Sequence, residues 1–595
     1  MHNKFHPHHS GAQQIVKMEN LLEQQETKTA QGQKIISGAH AVIESLIAEG
    51  VVTIFGYPGG AIMPVYDALM DYQQEVKHIL TRHEQGAAHA AQGYARVSGR
   101  VGVCLATSGP GATNLITGIA DAQIDSTPLV CITGQVASTL LGTDAFQETD
   151  VVGISTPVTK WNIQVTRAED IPGAIAKAFY VARSGRPGPV LVDITKDAQI
   201  EEAPFVYEKC TSVRSYRPWP MPEISAIERA KDLINRAKKP LIVFGQGVLL
   251  GQAEDDLRKF VEKTGIPAAS TLLGLSALKS DHPLYVGWVG MHGNYAPNVL
   301  TNECDLLIAI GMRFDDRVTG DVSRYATQAK VIHLEIDPAE IDKNVKTDVA
   351  LVGDCKLSLE LLYGLVRKRN HSDWLNQFHK LAKREDEVVI QPDLFPPSEK
   401  KITMAEVIHQ ISEKSGGAAV LVTDVGQHQM IAQRYYRFAE NRSNITSGGL
   451  GTMGFALPAA FGAKLAAPDR EVIAVIGDGG FQMTIQELGT IFQTQAAVKI
   501  LVLNNQFLGM VRQWQELFFD KRYAATELLN PDFQSIAKGY QIESEKVEER
   551  EALASAIDRF LAHDGSYLLE VMVGKEDNVF PMIPTGSSVS EIRLK

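Results

Sequence analysis

Residues 472–505 read VIAVIGDGGFQMTIQELGTIFQTQAAVKILVLNN and contain two apolar runs that each end in a polar turn. The first run ends at Gly477-Asp478-Gly479-Gly480 and the second at Asn504-Asn505. Continuous apolar runs bounded by turns are typical of parallel strands that are covered on both faces. The carboxyl ends of such strands form the edge at which open α/β sheets bind ligands. The segment therefore predicts an α/β fold with a ligand site between these two turns.

The residue types in the two turns indicate a metal–diphosphate site. Asp478 offers a carboxylate oxygen and Asn505 an amide oxygen, which are the hard ligands that Mg²⁺ prefers. Gly477, Gly479 and Gly480 allow the backbone to approach a phosphate and to donate N–H groups to it. The alternative is a pair of ordinary βα turns without a ligand.

Composition excludes several other classes of protein. The chain has 595 residues, 44% hydrophobic content and a net charge of −12, so we expect about three or four domains and no nucleic-acid partner. The five cysteines are scattered without a CxxC motif, which favours a reducing, cytoplasmic compartment. No apolar run is long enough for a membrane span. The polar first residues lack the apolar core of a secretory signal, and we expect a disordered tail over 1–31.

Three α/β blocks follow the tail, each predicted to be a mostly parallel, doubly wound sheet. We place the first at 32–200, the second at 223–366 and the third at 401–575, with a C-terminal tail at 576–595. Residues 367–400 are charged and end in the loop-like sequence QPDLFPPSEK. The first and third blocks each contain a Gly-rich turn that opens a helix of small residues, which hints at an internal duplication.

Glu84 is a candidate catalytic acid in the first block. It lies in RHEQGAAHAAQGYAR, near the predicted start of a tightly packed helix. A carboxyl group in such a crowded setting is suited to exchange a proton with a ligand nitrogen. The local sequence fits equally well with an acidic residue that is favoured by the dipole of the helix.

The motifs together resemble a known family. The GDG and NN turns, RHEQGAAHAAQGYAR and TSGPGATN resemble thiamine-diphosphate-dependent enzymes. GYPGGAIMPVYDAL, DAFQETD, SGRPGPVLVD, GMHG, GMRFDDRVTG and GMVRQWQELF further resemble the catalytic subunit of biosynthetic acetohydroxyacid synthase, from about residue 34 to the C-terminus. The resemblance implies a carboligase that decarboxylates pyruvate and joins two carbons to pyruvate or 2-ketobutyrate. That reaction is the first common step of branched-chain amino-acid synthesis.

The resemblance assigns the thiamine diphosphate site. Glu84 matches the glutamate that contacts the aminopyrimidine, Gln147 a residue near the reacting end, and Met453 the residue that holds the cofactor bent. Asp478 and Asn505 match the Mg²⁺ ligands. A third ligand falls at Phe507, which can offer only its backbone carbonyl. The remaining matches are Val425, Gly426, Gln427, His428, Gly451, Gly477, Gly479, Gly480, Gly509 and Met510.

The resemblance also implies FAD in the central block, although the reaction needs no net redox step. Glu335, at the end of VIHLEID, is a candidate to bind the ribose, and Asp354 is a second. The other candidates are Arg186, Gly245, Gly247, Met291, His292, Gly293, Arg313, Asp316, Arg317 and Val318. For any one of the charged residues, ordinary surface pairing is the alternative.

Substrate selection is assigned to a small set of residues. Trp514 matches a tryptophan that favours 2-ketobutyrate, and its alternative role is to pack a helix. Phe146, Lys196, Arg317 and Met510 match other residues of the substrate channel. The family forms a homodimer or a dimer of dimers with active sites between subunits, and it has a separate small regulatory subunit.

Other functions remain open at this point. Pyruvate oxidase, glyoxylate carboligase and the flavin-free catabolic acetolactate synthase share the cofactor. Glu84 counts against glyoxylate carboligase, and the RFDDR sequence counts against the catabolic type. A non-catalytic cofactor-binding relative is the alternative from a different class.

Overall fold

The computed structural model describes residues 34–595, and the tail predicted for 1–31 lies outside them. Three six-stranded sheets, parallel throughout, form the centres of three α/β blocks, which confirms the predicted fold class. The residues of the central strands are almost all buried because helices cover both faces of each sheet, whereas most edge strands are partly exposed. Within 34–595, no helix is long and apolar enough to cross a membrane.

The first block contains the sheet β3-β2-β4-β5-β7-β6 and a small antiparallel pair, β1-β8. Its strands are β1 (Ile35–Ser37), β2 (Thr53–Gly56), β3 (Lys77–Leu80), β4 (Gly102–Ala106), β5 (Leu129–Gln135), β6 (Trp161–Val165), β7 (Pro189–Thr195) and β8 (Glu202–Pro204). Its helices are α1 (Gly38–Ala48), α2 (Met63–Ala68), α3 (Glu84–Ser98), α4 (Pro110–Asn114), α5 (Ile116–Ile124), α6 (Val151–Ser155), α7 (Ile171–Arg183) and α8 (Lys196–Ile200).

The central block has the strand order β11-β10-β9-β12-β13-β14. In chain order this is 3-2-1-4-5-6, the order of dinucleotide-binding sheets. The strands are β9 (Pro240–Phe244), β10 (Ala268–Ser270), β11 (Tyr285–Trp288), β12 (Leu306–Ile310), β13 (Lys330–Glu335) and β14 (Val349–Val352). The helices are α9 (Ile224–Arg236), α10 (Gly247–Leu250), α11 (Glu254–Thr264), α12 (Tyr295–Thr301), α13 (Asp316–Thr319) and α14 (Cys355–Leu365).

The connection to the third block is more helical than its sequence indicates. It contains α15 (Ser372–Glu385), a π-helical turn (Asp386–Ile390) and α16 (Gln391–Leu394). The prediction of a loop at QPDL is therefore wrong. Pro392 lies in the first turn of α16, where the missing N–H of proline carries no penalty.

The third block has the sheet β16-β15-β17-β18-β20-β19. The strands are β15 (Val420–Thr423), β16 (Asn444–Thr446), β17 (Val472–Gly477), β18 (Lys499–Asn504), β19 (Glu543–Val547) and β20 (Tyr567–Met572). The helices are α17 (Met404–Ser415), α18 (Gln427–Tyr435), α19 (Ala456–Ala466), α20 (Asp478–Met483), α21 (Leu488–Thr494), α22 (Gly509–Phe518), α23 (Phe533–Gly539) and α24 (Arg550–Ala562). A 3₁₀ turn (Ile485–Glu487) joins α20 to α21.

Helices α3 and α19 join the first and third blocks. A Cβ atom on Gly93 of α3 would collide with the Ala459 carbonyl, and one on Gly462 of α19 would collide with the Ala90 carbonyl. The two glycines therefore let the helix backbones approach closely. Since residue 90 meets 462 and residue 93 meets 459, the helices run antiparallel.

Candidate active site

The first polar turn lies at the carboxyl edge of the third sheet, where Gly477 ends β17 and Asp478 begins α20. Asp478 is buried, and Asn530 donates to its Oδ2 over 2.7 Å. Burial raises the pKa of Asp478, while hydrogen bonds from Asn530 and from the Asn505 backbone N–H oppose that shift. A buried carboxylate of this kind is stabilised when a cation binds beside it.

The second turn lies next to the first. Asn505 is buried, its Oδ1 accepts a 3.1 Å hydrogen bond from the backbone N–H of Phe507, and its Nδ2 lies 3.4 Å from Gln427 Oε1. Asn504 donates to Glu570 over 2.6 Å, which fixes the end of β18. The structure thus brings Asp478, Asn505 and Gln427 together at one edge of the third sheet.

Helix α18 starts at the same edge. Gly426 precedes it with a φ of 153° and provides no side-chain cap for the first N–H groups. Uncapped N–H groups at a helix start are suited to bind an anion such as a diphosphate. His428 packs against Gly477 and is bonded to the buried Asp424. Gly451 and Met453 approach from the loop before α19, with Gly451 beside Val425 and Met453 beside Gly479.

The oxygen donors at the two turns fit a Mg²⁺ ion that takes its remaining ligands from a bound phosphate group and water. Among residues 34–595, no group of three or more His, Cys, Asp or Glu side chains could hold a metal ion. Magnesium commonly takes one or two carboxylates together with phosphate oxygens and water. Asp478 with the amide of Asn505 meets that requirement. Gly509 leaves room for this arrangement, because a Cβ atom there would strike the side chains of Gln427 and Asn505.

Glu84 occupies a separate place, at the first residue of α3 and the carboxyl edge of the first sheet. It is 8% exposed, and Asn114 of its own block donates to its Oε2 over 3.0 Å. Gln147 has a φ of 60° and packs beside Gly109, which opens α4. Phe146 is 88% exposed, and Lys196 is exposed at the start of α8. No hydrogen bond of the described residues joins the Glu84 side chain to the Asp478 turn.

A long cleft of about 710 Å³ runs between the central and third blocks, and residues of the first block line one side of it. Ligand clefts of several hundred Å³ are typical of cofactor sites. It is lined by predicted residues Arg186, Gly247, Met291, His292, Arg313, Asp316, Arg317, Val318, Glu335 and Asp354. Gly245 and Gly293 lie behind this lining, Gly245 against Met312 and Gly293 against Trp288.

The charged residues of the cleft differ in how they are held. Glu335 ends β13, its Oε1 accepts N–H bonds from Ile336 and Asp337, and burial raises its pKa to about 7. Arg186 crosses from the first block to bind Glu340 over 2.9 Å. Asp354 caps α14 through the Leu357 N–H. The edge of this sheet thus offers an acidic group where dinucleotide-binding folds hold a ribose.

The other end of the cleft reaches α22 and the diphosphate-side loops. Met510, Trp514, Val425, Gly426 and Gly451 line it there. The Trp514 ring packs at 5.1 Å from Phe518 and also faces the cleft, so it both packs the helix and contributes to the site. The C-terminal segment lies alongside, since Val579 donates to Gln513 over 2.9 Å and Ser587 bonds to the central block at Asp321.

Some site residues were missed from the sequence. Asn530 contacts Asp478 but lies in LLNPDF, where no motif marks it. Asp121 and Asp125 of the first block hold the loop 447–452 that lines the cleft: Asp121 bonds Ser447 and Thr452, and Asp125 bonds the N–H groups of Gly448 and Gly449. These contacts span more than 300 positions of chain, so only the fold reveals them.

Comparison with known proteins agrees with this geometry. Three family descriptions match: "Thiamine pyrophosphate enzyme, N-terminal TPP binding domain" at residues 36–154, its "central domain" at 227–362, and its "C-terminal TPP binding domain" at 424–571. The chain is 48% identical to the acetolactate synthase isozyme 2 large subunit of Escherichia coli K12, over 94% of this chain and 100% of that protein. It is 47% identical to the acetolactate synthase large subunit of Corynebacterium glutamicum, over 94% and 90%. It is 43% identical to a probable acetolactate synthase large subunit of Methanocaldococcus jannaschii, over 94% and 95%.

Proposed function

Because the chain belongs to the acetolactate synthase large subunits, a family of thiamine pyrophosphate enzymes, we propose how its own residues form acetolactate from pyruvate. The observation that carries the proposal is the pair of separate half-sites, Asp478 with Asn505 at one sheet edge and Glu84 at another. When bound, thiamine diphosphate supplies the electron sink that lets one 2-ketoacid lose carbon dioxide and pass two carbons to a second.

Asp478, Asn505 and the backbone carbonyl of Phe507 would hold Mg²⁺, and the metal would in turn hold the diphosphate. The N–H groups at the start of α18, where Gln427 and His428 follow the N-cap Gly426, would complete the anion site. The backbone could approach the diphosphate closely at Gly477, Gly479 and Gly480, because these residues carry no side chain. Met453 supports the middle of the cofactor from the loop before α19.

We assign proton transfer to Glu84. Its buried carboxyl group would exchange a proton with the pyrimidine nitrogen of the cofactor, and Asn114 keeps the carboxyl in place through Oε2. Because burial keeps bulk water from the carboxyl, the proton would pass to the ligand and not to solvent. Gln147, which is held beside Gly109, would lie near the reacting end of the cofactor.

The cleft between the central and third blocks takes FAD. Three features support this: the volume of the cleft, the dinucleotide-binding strand order of the central sheet, and the position of Glu335 where such folds hold a ribose. Arg186, Arg313 and Arg317 supply positive charge for the pyrophosphate or for a substrate carboxylate. The flavin has no net redox step in this reaction and serves the structure of the site.

Trp514 and Met510 form the wall against which the second 2-ketoacid packs. A flat ring against one additional methyl group discriminates 2-ketobutyrate from pyruvate by roughly 1–3 kcal/mol. Phe146 and Lys196 complete the channel from the first block of a neighbouring subunit.

We propose that the catalytic subunit works as a homodimer or a dimer of dimers. Apolar side chains at the two half-sites support this: Phe146 is 88% exposed and Leu529 is 99% exposed. Aromatic side chains such as that of Phe146 are enriched at protein interfaces. We further propose a separate small regulatory subunit and a cytoplasmic location, as the catalytic role in amino-acid synthesis implies.

The test is to purify the protein, record its flavin spectrum, and assay acetolactate from pyruvate with and without thiamine diphosphate and Mg²⁺. A yellow protein whose product depends on both additions supports the proposal. Hydrogen peroxide in place of acetolactate would indicate a pyruvate oxidase. Cofactor binding without any product would indicate a non-catalytic relative.

A further inference from the structure

Glu487 is a buried acid of the third block that contacts the first block immediately before Glu84. It ends the 3₁₀ turn after α20 and is 0% exposed. Its Oε1 and Oε2 accept the backbone N–H of Arg82 over 3.1 and 3.2 Å, and Thr490 donates to Oε2 over 2.6 Å. Arg82 lies two residues before the start of α3.

The Arg82 side chain strengthens the same connection in the opposite direction. Its guanidinium donates to the Gly489 carbonyl over 3.1 Å and to Gln493 Oε1 over 2.8 Å, both in α21. A third bond reaches the Leu80 carbonyl over 3.0 Å. Gly86 completes the contact, because a Cβ atom there would collide with the Glu487 carboxylate. The segment 80–86 is thus clamped by residues 487–493.

This clamp holds the backbone from which the Glu84 side chain extends. Glu84 is the first residue of α3, and its side chain has a single protein partner among the described residues, Asn114. Its direction therefore depends on the backbone at residues 82–84, which Glu487 holds. A displacement of about 1 Å at a reacting group can lower a rate by about 10²-fold.

We propose that Glu487 is a positioning residue that fixes Glu84 for catalysis without touching substrate or cofactor. The proposal rests on the proposed role of Glu84. The contacts that Glu487 makes with residues 82–86, however, do not depend on that role and can be measured separately.

The charge state of Glu487 gives a second way to test the clamp, through its dependence on pH. Burial raises its pKa to about 7, opposed by hydrogen bonds from Thr490 and Arg82 and by the charge of Arg82. Arg82 is the cation that faces it, and Glu84 is the nearby acid on the clamped segment. Protonation removes accepting capacity from the carboxylate, so the clamp weakens as pH falls below about 7.

The experiment compares Glu487→Ala, Glu487→Gln and the control Glu471→Gln. Glu471 is a half-buried acid of the same block, also with a pKa raised by burial, that faces Lys499 and not the first block. We expect Glu487→Ala to lower kcat by about 10²-fold, with KM for pyruvate unchanged because Glu487 does not line the cleft. Glu487→Gln keeps one accepting oxygen, so its kcat should lie between those of Glu487→Ala and wild type. The control Glu471→Gln should have the kcat of wild type.

Two further readouts separate positioning from general damage. Hydrogen exchange of the cofactor-free protein should be faster over residues 80–86 in both Glu487 variants and unchanged in the control. In wild type kcat should decline below about pH 7, and Glu487→Gln should lack that decline. The proposal is overturned by wild-type exchange in Glu487→Ala, or by wild-type kcat in a folded variant. If Glu487→Ala fails to fold, Glu487→Gln decides. If wild type makes no acetolactate, the proposed function fails, while the exchange data still decide whether the clamp exists.

Discussion

Replacing Asp125 by Asn should destabilise the protein strongly, because the acid neutralises a buried arginine. Asp125 follows α5, is 1% exposed and lies 2.9 Å from the guanidinium of Arg96, whose side chain is 5% exposed. Its two oxygens also accept the N–H groups of Gly448 and Gly449 over 2.8 and 2.7 Å. Burial raises the pKa of Asp125, and the charge of Arg96 opposes the shift.

The size of the effect follows from what remains after the change. Removing one partner of a buried ion pair leaves an uncompensated charge and costs about 3–5 kcal/mol. In addition, the NH₂ group of an asparagine would face hydrogen-bond donors that the second carboxylate oxygen of Asp125 now accepts from. We therefore expect a loss of about 3–5 kcal/mol in the free energy of unfolding. The exposed pair of Arg258 and Glu262 is the matched control, and Glu262→Gln should cost only about 0.3–0.5 kcal/mol.

Equilibrium urea denaturation, followed by circular dichroism, measures both variants against wild type. A second arm replaces the whole pair, Arg96→Met with Asp125→Leu, which should recover only part of the loss: the ion pair is removed together, but the N–H groups of Gly448 and Gly449 lose their acceptors. The loop at Gly448 and Gly449 lines the cleft, so Asp125→Asn should also retain less flavin after dialysis. The reasoning is refuted if Asp125→Asn unfolds at the urea concentration of wild type, or if Glu262→Gln is equally damaging.

Three further changes test the site. Glu84→Gln should nearly abolish acetolactate formation with unchanged circular dichroism, and near-normal turnover would exclude the proton-transfer role. Trp514→Leu should reduce the preference for 2-ketobutyrate by roughly 1–3 kcal/mol in a competition assay, and an unchanged product ratio would remove Trp514 from substrate selection. Glu335 has a folded pKa of about 7 against its usual 4.5, so the folded state keeps a proton that the unfolded state loses, and stability falls as pH rises between these values. Glu335→Gln should reduce that slope in urea titrations, and an unaltered slope would show that Glu335 is ionised when folded.

The sequence predicts the sheets because each strand is a local apolar pattern. VIAVIG and KILVLN form β17 and β18, and the polar turns at Asp478 and Asn505 lie side by side as their positions after parallel strands require. Glu335 at the end of β13 follows the same logic. The order of the strands is not written in those patterns, since any buried strand can pair with any other on apolar grounds.

Contacts between blocks could not be predicted from local patterns. Asp125, Arg96 and Glu487 are single charged residues in helical segments, where a solvated face is the ordinary expectation. Burial and partners distant in the chain give them their role. The same holds for Asn530, whose contact with Asp478 depends on a loop that the sequence leaves without a pattern.

The arrangement of α3 and α19 places the two half-sites of one chain far apart. The first and third sheets have the same strand order, and in each the helix lies between the second and third strands in chain order. The two helices are therefore equivalent, and they cross antiparallel at Gly93 and Gly462. A helix in a parallel α/β unit runs opposite to its strands, so the carboxyl edges of the two sheets face in opposite directions. Glu84 and Asp478 lie on those edges. This geometry supports the proposed dimer, in which each edge would meet its counterpart from another chain.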